Sequence, residues 1–167
     1  MDIALLIVRL IIGLGMAAHG AQKLFGWFGG GGIAGTAGFM ESLGFRPSKA
    51  FATLAGLGEF GSGLLIALGL LGALGPALLL VVMITAVASV HISKGFFVGN
   101  GGWELNAVYV AGAIGLAFAG FGFYSLDRVF GLTLLTDPTQ VWIALGVAVA
   151  IGLINFAMRR PAPKLNQ

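Results

Sequence analysis

The sequence predicts an all-α integral membrane protein, a bundle of transmembrane helices with no soluble domain of its own. Hydrophobic residues make up 58% of the 167 residues, whereas charged residues make up only 9%. A soluble domain needs a charged surface of mixed sign, which nine basic and six acidic residues cannot supply. Several separate apolar runs reach about 18 residues, the length that crosses a bilayer as a helix.

The first half of the chain contains three predicted spans. The first covers residues 3–25, and we expect it to be retained, because it lacks the basic start of a signal peptide and Arg9 interrupts its apolar stretch. Residues 33–43 are too few to cross, so they predict an interfacial or re-entrant helix. The second span is predicted at 50–71 and the third at 76–93.

The second half contains two further apolar runs. The fourth span is predicted at 104–124, after a loop rich in glycine and aromatic residues at 94–103. The last run, 141–158, carries no charge and rises about 27 Å as a helix, just enough to cross. Five spans is the simple count. The alternative is four spans, with the last run lying along the membrane or packed differently.

The basic residues predict the orientation. Five spans place seven of them on one side of the membrane: Lys23, Arg46, Lys49, Lys94, Arg159, Arg160 and Lys164. The other side receives only Arg128 in a loop. The positive-inside rule then puts the N-terminus outside and the C-terminus in the cytoplasm. Because these residues are few and flank apolar runs, they do not indicate nucleic-acid binding.

The glycines lie inside the spans, where they favour close helix packing. Lipid gives helices little drive to associate, so small residues that let two backbones approach mark contacts between helices. Three stripes at four-residue spacing predict such contacts: Gly13, Ala17 and Ala21; Ala111, Gly115 and Ala119; and Ala144, Ala148 and Gly152.

Glu59 is the only ionisable residue of the second predicted span, close to the middle of the membrane. A carboxylate in hydrocarbon is costly, so it must be neutral, paired or in a wet cavity. Intramembrane ionisable residues mark functional sites by default. The alternative is a structural glutamic acid that bonds a neighbouring helix.

Other polar residues are expected to approach Glu59 from the cytoplasmic side. Spacings of three and four residues place His19, Gln22 and Lys23 on one face of the first helix. A lone histidine near a helix end is usually a simple hydrogen bonder, but His91 lies at a matching depth in the third span.

Glu104 opens the fourth span on the same side and is followed by Asn106 and Tyr109. Two imidazoles and two carboxylates suit a proton relay, a quinone headgroup site or a metal site. Metal ranks lowest, because the spacing matches no metal motif. The chain has no cysteine, which excludes thiol relays.

Two features have less specific interpretations. Arg9 needs a partner inside the first span, and Asp2 is the nearest candidate. Aromatic residues in the cytoplasmic loops, among them Trp27 and Trp103, predict an interfacial belt, with a ligand-stacking role as the alternative.

Four motifs carry a resemblance to a known family. They are His19 to Gly30 (HGAQKLFGWFGG), Gly58 to Gly63 (GEFGSG), His91 to Glu104 (HISKGFFVGNGGWE) and, more weakly, the Ser-Leu-Asp step at Ser125. In order and content they resemble the DoxX family of bacterial membrane proteins over about Arg9 to Asp127.

The resemblance implies a four-helix bundle in the bacterial plasma (inner) membrane. It also implies a relation to the membrane subunit of thiosulfate:quinone oxidoreductase, and some members are linked to oxidant detoxification. We therefore expect a DoxX-like bundle over residues 1–128, and a loop, an extra helix and a basic tail over 129–167.

Two functions follow as hypotheses. The first is a quinone-linked membrane oxidoreductase component that works with a soluble redox partner or as a homo-oligomer. Its predicted catalytic residues are His19, Glu59, His91 and Glu104, and its predicted cofactor-binding residues are Gln22, Lys23, Trp103 and Tyr109. The second is a non-enzymatic scaffold or small-solute carrier that docks soluble partners through its glycine-aromatic loops.

Overall fold

The computed structural model describes residues 1–160. These residues form an all-α bundle, which confirms the predicted fold class. The helices are α1 Asp2–Phe25, α2 Gly32–Ser42, α3 Ser48–Leu68, α4 Leu74–Ala86, α5 Glu104–Ala119, α6 Leu126–Phe130 and α7 Pro138–Ala157. A π-helical turn, Val87–His91, continues α4. Lys164, one of the predicted topology-setting residues, lies outside the described residues.

The long helices cross the bundle in alternating directions. At one end, Phe123 N donates to the Asp2 carboxylate and Ala73 N donates to Leu135 O. At the other end, Arg160 N donates to Gly44 O. The second end carries Lys23, Arg46, Lys49, Lys94, Arg159 and Arg160, and we call it the basic end. The five helices α1, α3, α4, α5 and α7 therefore run between the basic end and the opposite end.

Within residues 1–160, four helical segments are long and apolar enough to cross a membrane: Asp2–Phe25, Ser48–Leu68, Leu74–Lys94 and Pro138–Ala157. The chain is therefore a multi-pass membrane protein. Helix α5, Glu104–Ala119, is the short one, because its 16 residues rise about 24 Å. The last apolar run forms α7, which packs along α4.

The fourth predicted span ends five residues earlier than expected, at Ala119. Gly120 and Gly122 both have a φ of 74°, which turns the chain out of the helix. The carbonyls released by this turn bind Arg9, which donates to Phe121 O at 3.2 Å and also to Tyr124 O. Irregular backbone at membrane depth needs such internal partners.

The expected pairing of Arg9 with Asp2 is wrong. Asp2 accepts instead from Phe123 N at 2.8 Å, so both residues hold the same segment by different backbone groups. A second carboxylate, Asp127, accepts from Leu71 N at 2.7 Å and Gly72 N at 2.8 Å in the turn between α3 and α4. The charged groups of the opposite end thus stabilise loops.

Two of the three small-residue stripes form helix contacts as predicted. A Cβ on Gly63 of α3 would collide with the backbone of Ala17 on α1. In the same way, a Cβ on Gly152 of α7 would lie 2.9 Å from Ile84 on α4. The helix contact predicted for the α5 stripe is wrong within residues 1–160, because Gly115 and its two stripe neighbours are exposed at the surface of the bundle.

Two apolar clusters fill the bundle. The larger joins α1, α3, α4 and α5, and its buried members include Met16, Ile66, Leu79 and Leu116. The second joins α4 and α7 through Leu80, Val141 and Leu145. Neither cluster closes the space between α3 and α4 toward the basic end, where a cavity lies.

Candidate functional site

A cavity of about 670 Å³ lies between α3 and α4 on the basic side of the bundle. Helices α1, α2, α5 and α7 complete its walls. This volume falls within the range of about 300–1,000 Å³ that is typical of small-molecule sites. Most of the lining is apolar, and five of the eight predicted site residues are part of it: His19, Lys23, Glu59, His91 and Tyr109.

Close packing of α1 on α3 brings Lys23 and Glu59 together. A Cβ on Gly20 of α1 would collide with the backbone of Phe60 on α3, so the two helix backbones nearly touch at this level. Lys23 Nζ reaches Glu59 Oε2 at 2.5 Å. The Glu59 side chain is only 7% exposed, so the ammonium group compensates a carboxylate that has lost its water.

The orientation of the His19 ring is set by Gln22. The Gln22 amide nitrogen donates to Phe28 O at 3.2 Å, so its oxygen Oε1 points to His19 Nδ1, also at 3.2 Å. A carbonyl oxygen can only accept, so Nδ1 carries the hydrogen. In the neutral ring, Nε2 then has a lone pair, and no residue within 1–160 binds it.

His91 repeats this arrangement on α4. Its Nδ1 lies 2.7 Å from Gly101 O, which again requires Nδ1 to be the donor. Its Nε2 is likewise free of hydrogen bonds within the described residues. The cavity therefore has two imidazoles whose second nitrogen accepts a hydrogen bond or a proton when the ring is neutral.

The π-helical turn Val87–His91 shapes the wall that carries His91. Single π turns inside α-helices are rare and frequent at functional sites. Ser89, in the middle of this turn, also lines the cavity, and its Oγ finds no hydrogen-bond partner within residues 1–160 although it is shielded from solvent. A buried hydroxyl without a partner is costly.

Helix α5 adds an amide and a phenol to the lining. Asn106 is buried, and its Nδ2 has only Met83 Sδ as a partner among the described residues, at 3.4 Å. The Tyr109 ring lies edge-on to His19, with ring centroids 6.3 Å apart. Both side chains supply polar groups that a bound molecule can use.

Three predicted site residues lie outside the cavity lining. Glu104 accepts from Val98 N at 2.9 Å and so holds the loop before α5. Trp103 packs against Phe96, with ring centroids 4.8 Å apart. Gln22 acts through His19, as described above. Their predicted catalytic and cofactor-binding roles remain predictions.

Sequence reasoning missed three polar lining residues, Thr85, Ser89 and Asn155. The available signal was simple, because each is a polar residue inside or at the edge of an apolar run. Asn155 comes from α7, on the side of the cavity that is otherwise apolar. Within residues 1–160, no group of three or more His, Cys, Asp or Glu side chains is placed to hold a metal ion.

The family model DoxX matches residues 4–92, more than half of the chain. The chain belongs to the DoxX family. Neither the search of curated proteins nor the search of solved structures returned a match.

The matched part of this DoxX protein contains four of the five predicted residues that line the cavity: His19, Lys23, Glu59 and His91. It ends just after the π turn of α4. The walls contributed by α5 and α7, with Asn106, Tyr109 and Asn155, lie beyond the match.

Proposed function

We propose that this protein is the quinone-binding component of a membrane oxidoreductase. The observation that carries the proposal is the single cavity that brings His19, Glu59 and His91 together inside an apolar lining. A quinone ring has two carbonyls across an apolar ring, and its reduced form has two hydroxyls. A mostly apolar pocket with a few fixed polar groups suits such a ligand.

The lining supplies both kinds of hydrogen-bond partner. The two imidazole Nε2 atoms would accept from the hydroxyls of the reduced form, since both Nδ1 atoms are held by backbone or amide oxygens. The Tyr109 hydroxyl and the Lys23 ammonium group are donors suited to the carbonyls of the oxidised form. Glu59, which Lys23 binds, is then the group that receives or returns protons.

Electron transfer in this proposal needs a partner. The quinone exchanges two electrons and two protons, and the chain has no cysteine to take the electrons. A soluble redox protein or a second subunit would supply the other redox group. In the bacterial plasma membrane, the location that the family resemblance implies, the positive-inside rule would place the basic end in the cytoplasm, where such a partner would dock.

Equilibrium binding tests the proposal directly. Purified protein in detergent is titrated with a decyl-substituted methoxybenzoquinone and with its reduced form. We expect saturable binding, weakened about tenfold in His91→Ala and in Glu59→Gln, which corresponds to about 1.4 kcal/mol for each lost interaction. Glu41→Gln is the matched control, because this α2 glutamate is exposed and does not line the cavity.

A second function, a scaffold that docks soluble partners, is favoured by a separate observation. Trp27, Phe28 and Phe97 stand exposed on loops of the basic end, at 56%, 70% and 66%. They suit a membrane-interface belt as well as a docking surface. Failure of the intact protein to bind either quinone form, together with co-purification of a soluble protein that Trp27→Ala releases, would replace the first proposal by the second.

A further inference from the structure

The exposed residues of the cavity lining differ in kind from the buried ones. Six lining residues are exposed at the surface of the bundle, and all six are apolar: Phe39, Leu54, Leu78, Val98, Leu105 and Ile151. Every polar lining residue is instead buried or half-buried. The cavity thus has a hydrocarbon rim, and all its polar side chains lie inside that rim.

A cavity that admits a water-soluble substrate needs polar groups at its mouth, because the substrate arrives with its water shell. An apolar rim in a membrane protein contacts lipid chains instead. This arrangement suits a molecule that is already dissolved in the bilayer, with a polar head that enters the interior and an apolar part that stays at the rim.

Three rim residues lie in helical segments long enough to cross a membrane: Leu54 of α3, Leu78 of α4 and Ile151 of α7. We call the part of the rim between α3 and α4, marked by Leu54 and Leu78, the α3–α4 fissure. Leu54 is six residues into α3, about 9 Å from its start, and is 64% exposed. Leu78 is four residues into α4, about 6 Å from its start at the opposite end, and is 36% exposed. The two residues lie on the two helices that flank the cavity, within segments long enough to cross a membrane.

We propose that the cavity binds a single-chain amphiphile that enters sideways from the bilayer, and that its hydrocarbon chain leaves between α3 and α4 past Leu54 and Leu78. The head group lies against His19, His91 and Tyr109. The inference deepens the proposed function and rests on it for the nature of the head group. The hydrocarbon chain of the ligand and its exit are inferred from the apolar rim alone.

Photolabelling in lipid nanodiscs tests the exit of the chain. The probes are a benzoquinone and a plain alcohol, each carrying the same long alkyl chain with a diazirine at its middle. We expect the quinone probe to label peptides that contain Leu54 and Leu78, with the labelling lost in excess decyl-substituted quinone. Saturable labelling confined to residues away from the α3–α4 fissure would overturn the inference.

Matched rim variants give a second readout. Leu54→Trp adds bulk at the rim, whereas Leu57→Trp makes the same change at a 54% exposed leucine of α3 that does not line the cavity. Leu54→Trp should weaken binding of the long-chain quinone about fivefold or more, and binding of the chain-free ring much less. Leu57→Trp should change neither. Equal losses for both ligands in Leu54→Trp would contradict a chain that passes this residue.

Failure of the inference and failure of the proposed function are distinguishable. The alcohol probe could label the fissure as strongly as the quinone probe, with excess quinone competing no better than excess alcohol. That result would support the exit of the hydrocarbon chain and contradict the quinone function. Quinone binding that depends on His91, without labelling of the fissure by the quinone probe, would support the proposed function and contradict the lateral exit.

Discussion

Lys23 of α1 and Glu59 of α3 form an ion pair of 2.5 Å on the wall of the cavity. The lysine side chain is 27% exposed and the glutamate side chain 7%. The ammonium group of the pair is therefore partly accessible to solvent, whereas the carboxylate is buried. Glu59 is thereby kept inside the bundle with its charge compensated. The pair joins the two helices whose small residues pack most closely, and it ties the integrity of the cavity to the α1–α3 contact.

Removal of one partner of this pair should destabilise the protein more than removal of both. Lys23→Met leaves the Glu59 carboxylate buried without a partner, which costs about 3–5 kcal/mol. The double variant Lys23→Met/Glu59→Leu removes both charges and should recover most of that loss. Thermal unfolding in detergent of the two single variants and the double variant measures the coupling. Additive losses would show that the pair does not hold α1 to α3.

The contact between α1 and α3 should be sensitive to a single methyl group. Gly63→Ala places a Cβ against the backbone of Ala17, 2.8 Å from its Cα, and should lower the free energy of unfolding by about 1–3 kcal/mol. Gly61→Ala, two residues earlier, meets open space and should be neutral or slightly stabilising. Equal melting temperatures for the two variants would show that the helices do not approach this closely.

Arg9 should stabilise the protein through the segment after α5. Arg9→Met leaves the carbonyls of Phe121 and Tyr124 without this donor, and we expect a loss of about 2 kcal/mol or more. Limited proteolysis should then cut near these residues at a lower protease concentration. Arg128→Met, an exposed arginine that faces the Phe123 ring, serves as the control and should change stability by less than about 0.5 kcal/mol. Similar proteolysis patterns in the two variants would argue against the assigned role.

The two ends of the bundle should lie on opposite sides of the membrane. Because the chain has no cysteine, single cysteines report position without background. Arg46→Cys at the basic end should react with a membrane-impermeant maleimide only after permeabilisation. Thr133→Cys, exposed at the opposite end, should react in intact cells. Labelling of both variants in intact cells would refute the five crossings or their orientation.

Much of the candidate site could be predicted because burial in a membrane restricts where polar residues point. The depth of Glu59, His19 and His91 in apolar runs predicts that their side chains converge, and the three residues line one cavity. Glu104 lies at the predicted end of the bundle, yet its side chain turns to Val98 N. Depth along the chain gives the level of a residue in the membrane but not its direction around the helix axis, which neighbouring helices decide.

The amino-acid sequence by itself determined that this is a multi-pass membrane protein and where most helices lie, because the length of an apolar run and the cost of charge in hydrocarbon are local properties. Only the tertiary structure decided that Lys23 meets Glu59, that Arg9 binds backbone carbonyls, and that a π turn carries Ser89 and His91 into a cavity with an apolar rim. These relations depend on how closely helices distant in sequence approach one another and on their rotation about their own axes. Small residues permit such an approach without specifying which helix takes part in it.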